Sequence, residues 1–147
     1  MTDVLLTLNA GSSSIKFALF ERNAGDVPEQ PRLMGQIDGL GAHPHLAAKE
    51  ASGQALADID LPLAGAAPHR EALSFLLGWL DRHAGGRRIG GVGHRVVHGG
   101  EQYARPIRLD AVSIDLLRDL IPLAPLHQPH NLAGIEAMAT ALPGVPQ

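Results

Sequence analysis

Three stretches carry residue types whose spacing could do chemistry. The first is Leu8–Lys16, "LNAGSSSIK". A phosphate needs several donors converging on it from a turn that approaches closely. Gly11 supplies a permissive backbone, and Ser12, Ser13 and Ser14 supply hydroxyl and N–H donors. Lys16 adds a point charge, and it is one of two lysines in the chain, with Lys49. The stretch lacks the second glycine and the Gly-Lys-Ser/Thr ending of a Walker A loop, and it does not match the Gly-x-Ser-x-Gly nucleophile elbow. A polar hairpin turn followed by a solvent-facing lysine fits the same residues equally well. The second stretch is "GHRVVHGGE", residues 93–101. Arg95 stands in apolar company, and its planar fork suits a carboxylate or phosphate. An internal ion pair is the competing reading. His94 and His98, if on one strand, lie roughly 13 Å apart, too far for one metal ion. The third is "LAPLHQPHN", residues 123–131. Its prolines predict a rigid extended loop in which Leu126 could wall an apolar pocket beside His127. The plainer alternative is a buried connection with a hydrogen-bonded histidine.

Composition sets the frame for these stretches. The chain has 147 residues, enough for one domain with a substantial core, and is 45% hydrophobic and 18% charged. A formal charge of −3 argues against a nucleic-acid or membrane-surface binder, so neither partner is expected. With no cysteine there is no disulfide framework, thiol nucleophile or Cys-zinc site. The N-terminal "MTDVLL" has an acidic residue and no basic region before its apolar run, so it does not read as a secretory signal. No apolar stretch reaches the length of a membrane span, and the default compartment is the cytoplasm.

The elements that must position these residues follow from periodicity. Residues 4–8 read as a buried strand. Residues 15–21 alternate, with Ile15, Phe17 and Leu19 on one face and Lys16, Ala18 and Phe20 on the other. The Gly/Ser stretch then joins two strands of a hairpin. A third strand is expected at 32–38, and a hairpin or surface excursion within 40–69. Ala72, Leu73, Leu76, Leu77 and Leu80 form the stripe of a helix over 70–83, stopped by "AGG". A strand is expected near 89–97, a helix near 111–120, and a last helix over 132–141 with Asn131 as its N-cap. Pro129 argues against helical display of His127 and His130. His43, His45, His69 and His83 read as surface or loop residues. Strands early and helices later predict an α/β or α+β domain.

Together, "NAGSSSIKF", "GHRVVHGGE" and "LAPLHQPHN", in this order and near these separations, resemble the N-terminal part of the acetate kinase (acetokinase) family. Propionate and butyrate kinases are relatives. The resemblance covers essentially the whole chain. It implies an actin-like fold shared with sugar kinases and heat-shock ATPases (ribonuclease H-like), a mixed sheet flanked by helices, as one half of a two-domain enzyme. It also implies the reversible reaction of ATP with a short carboxylate to give ADP and an acyl phosphate. The resemblance further implies magnesium, or manganese in its place, with ATP, and a cytoplasmic homodimer. Residue by residue, Asn9 matches the family's magnesium-associated asparagine. Ser12, Ser14 and Lys16 match its first phosphate loop. Arg95 matches the arginine that holds the carboxylate or its phosphoryl group. Val97 and Leu126 match walls of the acyl pocket, and His127 an active-site histidine.

The chain departs from the resemblance at two points. Family members run well beyond Gln147, so residues 1–147 are expected to be an N-terminal domain, incomplete at its C-terminal end and inactive alone, with the C-terminal domain absent. Gln128 also stands where an asparagine is usual. Two readings of other classes compete: a non-catalytic nucleotide- or phosphate-binding actin-like module, and a serine hydrolase pairing one of Ser12–Ser14 with His94 or His127.

Overall fold

A computed structural model describes residues 3–147; Met1 and Thr2, the start of the N-terminal stretch read above, lie outside the described residues. Six strands form one mixed sheet: β1 (Val4–Ala10), β2 (Ile15–Glu21), β3 (Leu33–Asp38), β4 (His45–Glu50), β5 (Ala55–Asp60) and β6 (Ile89–His94). Their spatial order is β5-β4-β3-β2-β1-β6. The first five run as antiparallel neighbours, and β6 pairs in parallel with β1. Three helices follow the early strands: α1 (Pro68–His83), α2 (Ala111–Asp119) and α3 (Gln128–Ala141), with a 3-10 turn at Ile121–Leu123. The α/β expectation holds, and the 40–69 excursion contains the β4–β5 hairpin. Among the described residues, no helix is long and apolar enough to cross a membrane.

Strand alternation decides which side chains reach the core. On β1, Val4, Leu6, Leu8 and Ala10 are buried, while Thr7 is exposed and Asn9 half-buried. Ile15, Phe17 and Leu19 join the buried set from β2, as their period of two predicts. Ala72, Leu73, Leu76, Trp79 and Leu80 of α1 close over this face. The Trp79 ring meets Phe17 edge-on at 5.9 Å between centroids. Gly35 makes room for that contact. A Cβ there would lie 2.5 Å from the Ala47 carbonyl oxygen and 2.7 Å from the Phe17 ring. A second apolar cluster, Leu117, Leu132 and Ile135, locks α2 onto α3.

Strand β1 runs on to Ala10, two residues past the expected end, and three further boundaries near the site differ from the sequence reading. Strand β6 ends at His94, not near residue 97. The Arg95 N–H still donates to the Leu8 carbonyl at 3.1 Å, but the Val97 N–H donates to the Asn131 side chain instead, and the chain leaves the sheet. Helix α3 begins at Gln128, not at 132, so Asn131 lies inside it rather than capping it. Pro129 sits in its first turn, where a missing N–H leaves no hydrogen bond unmade. His127 takes the cap position and its carbonyl accepts from the N–H groups of both His130 and Asn131, so this segment is helical and not an extended loop. Helix α1 starts at Pro68, two residues earlier than expected, and carries His69 in its first turn.

Candidate active site

The β1–β2 hairpin forms the phosphate-loop candidate. Ala10 pairs with Ile15, and the Gly11 N–H closes the loop by donating to the Ser14 carbonyl at 2.8 Å. Within it, Ser12 and Ser13 are exposed and Ser14 half-buried. Among the described residues, the N–H and hydroxyl groups of these three serines donate to no protein acceptor. The loop thus presents uncommitted donors on a backbone fixed from behind. The Ala10 carbonyl accepts from the Asn131 side chain at 2.8 Å, and the Gly11 carbonyl accepts from His69 Nε2 at 2.6 Å. The Ser13 carbonyl accepts from the Leu40 N–H at 3.0 Å.

The sheet face opposite the helices gathers three of the polar candidates. Asn9 and Lys16 are directly paired across β1 and β2, and Thr7 pairs with Gly93 on β6. Arg95 follows Gly93 by two residues, so it continues the same face. Asn9, Lys16 and Arg95 accordingly border one shallow depression with Thr7, Met34 and Gly93. The Arg95 side chain is exposed and makes no hydrogen bond or ion pair among the described residues. This corrects both sequence expectations for its surroundings: it is not embedded in apolar packing, and no internal carboxylate holds it. Its guanidinium stands ready for an external anion. A groove of about 860 Å³ between α1 and α3, with Leu73, Leu77 and Ala137 in its wall, lies apart from these residues.

The start of α3 binds the two parts together. Asn131 is 5% exposed, and its Oδ1 accepts from the Val97 N–H at 3.0 Å. Gln128 is wholly buried; its Nε2 donates to the carbonyls of His98 and Leu117, both at 3.1 Å, and its Oε1 meets no protein donor. Gln128 thereby fixes the segment after Arg95 to α2. His130 stacks on His69 with ring centroids 4.4 Å apart. Burial, then the neighbouring His69 and His127, holds the His130 pKa below the ordinary histidine value. Val97 is 48% exposed and Leu126 71%, so within these residues neither wall is enclosed. His127 is exposed. His94 points the other way, toward α3: its Nε2 donates to Gln147 Oε1 at 2.5 Å, and burial lowers its pKa. A serine–His94 pair for hydrolysis therefore has no support in this arrangement.

Sequence reasoning missed His69 and misplaced Asn131. His69 read as a surface or loop residue, yet it anchors Gly11 from 58 positions away. Its signal was its place beside Pro68 at a helix start, which orients the first turn without naming what it faces.

The sequence profile of the acetokinase family matches residues 4–147. The chain belongs to the acetokinase family. Acetate kinase of Rhodopseudomonas palustris is 43% identical over 147 residues, all of this chain and 36% of that protein. Acetate kinase of Ectopseudomonas mendocina is 44% identical over 143 residues, 97% of this chain and 34% of that protein. Among solved structures, Porphyromonas gingivalis acetate kinase superposes with a TM-score of 0.82 at 34% identity, over 99% of this chain and 36% of that one. A propionate kinase from Francisella tularensis gives 0.80 at 28% identity, over 99% and 35%. The chain thus spans about a third of the length of the curated relatives it matches. Membership gives the mixed sheet and its helices a family context.

Proposed function

We propose that this chain is the N-terminal domain of an acetate kinase-type enzyme, which transfers the γ-phosphoryl group of ATP to acetate, with propionate or butyrate as the alternative acid. A loop of uncommitted serine donors and an unpartnered arginine, joined through α3 in a member of the acetokinase family, carry the reading. In the reaction, an acetate carboxylate oxygen forms a bond to the γ-phosphorus while the bond from that phosphorus to the bridging oxygen breaks, releasing ADP. No protein nucleophile is needed, and catalysis consists of positioning and charge stabilisation. Ser12, Ser14 and Lys16 would bind the ATP phosphates. Arg95 would orient the carboxylate and meet the charge that develops on the transferring group. Val97 and Leu126 would face the acid's methyl group, and His127 would donate to the phosphoryl oxygens.

Magnesium fits this donor set as a nucleotide-borne ion. Among the described residues, no group of three or more His, Asp or Glu side chains forms a cage. An amide oxygen at Asn9 beside Lys16 suits an ion held mostly by phosphate and water. When bound, magnesium supplies charge neutralisation at the phosphates. The rest of the cleft, a homodimer and a cytoplasmic setting belong to the same proposal.

The test is a hydroxylamine trap for acyl phosphate with magnesium-ATP and acetate, propionate or butyrate. It is run on this chain and on the longest chain its gene encodes. Product from the longer chain alone is the expected result, and the best acid names the substrate. Silence from both favours a non-catalytic phosphate-binding module.

A further inference from the structure

We infer that Asn131 is a positioning residue that links the phosphate loop to the segment carrying Arg95 and Val97, so that its two arms set the ATP and the carboxylate sites in register. The inference rests on the functional reading above. Asn131 is 5% exposed and commits both ends of its amide to main chain. Nδ2 donates to the Ala10 carbonyl at 2.8 Å, 121 residues away, and Oδ1 accepts from the Val97 N–H at 3.0 Å, 34 residues away. Buried and bonded to main chain at both ends, it is placed to hold other groups rather than to meet substrate.

Each arm grips a peptide unit that matters. The Ala10 carbonyl belongs to the same planar unit as the Gly11 N–H, which closes the serine loop onto Ser14. Holding that carbonyl sets the plane from which the serine donors start. The Val97 N–H is the first after Arg95 to turn away from β1; the Arg95 N–H still bonds Leu8. Holding Val97 sets where the chain leaves the sheet, and with it the departure of the Arg95 side chain. Gly134, one turn on in α3, faces both strands, close enough that a Cβ there would only just touch them. A Cβ there would be 3.6 Å from Ala10 Cβ and 4.0 Å from His94 Nδ1. At that height an asparagine reaches both partners, and its amide places a donor and an acceptor on two separate atoms, Nδ2 and Oδ1. His69 holds the adjacent Gly11 carbonyl but has no bond to the Val97 side. It therefore separates a tether on one loop from a link between two.

The experiment uses the longest chain the gene encodes, with KM for ATP and for acetate measured at pH 8. Asn131→Asp keeps the acceptor for Val97 and loses the donor for Ala10. It is expected to raise the ATP KM about tenfold and leave the acetate KM within twofold. Asn131→Ala is expected to raise both about tenfold, and His69→Ala the ATP KM alone. A set of Asn131 variants with both KM values within twofold of the parent overturns the inference, as does Asn131→Asp raising the two equally. Amide exchange at Val97, followed by NMR, reads the link without turnover. It should quicken at least tenfold in Asn131→Ala and stay slow in Asn131→Asp; equal rates in all three proteins overturn the link. An unmodified protein that makes no acyl phosphate refutes the functional reading, and the exchange result then decides the Asn131 link separately. If the variants do not fold, the unmodified protein decides: magnesium-ATP should slow Val97 exchange, and an unchanged rate overturns the inference.

Discussion

Replacing Arg95 by leucine should separate catalysis from folding. The guanidinium is exposed and bonds to nothing among the described residues, while the only hydrogen bond at this position runs from the backbone N–H to Leu8. Arg95→Leu therefore leaves the β6 ladder and the core intact, and the unfolding free energy should change by less than about 0.5 kcal/mol. Catalysis is different. A preorganised donor aimed at developing charge is worth about 2.7–4 kcal/mol, and at ~1.36 kcal/mol per tenfold its loss lowers the rate roughly 10²–10³-fold. Arg95→Lys keeps the charge but not the fork, so it should recover only part of the loss. Acyl-phosphate formation in the longest chain the gene encodes, paired with urea unfolding of the same proteins, measures both quantities. A near-normal rate in Arg95→Leu would remove Arg95 from the reaction. A rate loss matched by more than about 1 kcal/mol of lost stability would make it a structural residue, against the geometry described above.

Val97→Ala should favour longer acids, moving the propionate-to-acetate ratio of kcat/KM by at most ~1–3 kcal/mol per methylene; an unchanged ratio takes Val97 out of the acyl site. Gly35→Ala places a Cβ 2.5 Å from the Ala47 carbonyl and 2.7 Å from Phe17, and should lower the urea unfolding free energy by about 1–3 kcal/mol. His45 bonds Asp60 at 2.8 Å and Asp58 at 2.6 Å, and these carboxylates raise its pKa above the ordinary histidine value. A raised folded-state pKa gives stability that is fully present below the unfolded value and is lost as pH rises through the folded one. The stability gap between the parent and His45→Gln should therefore narrow from pH 5.5 to pH 8.5, and a gap constant across that window would show that the imidazolium contributes nothing.

Legibility in the sequence followed the range of the interactions. The face alternation of β2 was readable because its period of two needs only neighbours. Helix α1 was readable because its apolar stripe repeats locally, and its buried residues match that stripe closely. The ends of β6 and α3 were not. Whether residues 95–97 continue a strand depends on Asn131, 34 positions beyond Val97, and whether residues 128–131 are helical depends on Pro129 falling in the first turn. Arg95 showed the same limit, since its sequence neighbours are apolar while its side chain is exposed on the open face of the sheet. His69 carried no local sign of its bond to Gly11.

The sequence by itself determined the hairpin with its serine donors, the core-facing set of side chains and, through three motifs, the resemblance to the acetokinase family. These rest on residue type and short-range period, which chain order contains directly. Only the tertiary structure decided that Asn131 and His69 grip consecutive carbonyls of the serine loop, that Arg95 stands free on the face shared by Asn9 and Lys16, and that His94 turns away from it. Those facts depend on how closely α1 and α3 settle on β1 and β6. Packing of the whole core sets that height, and no local stretch of sequence encodes it.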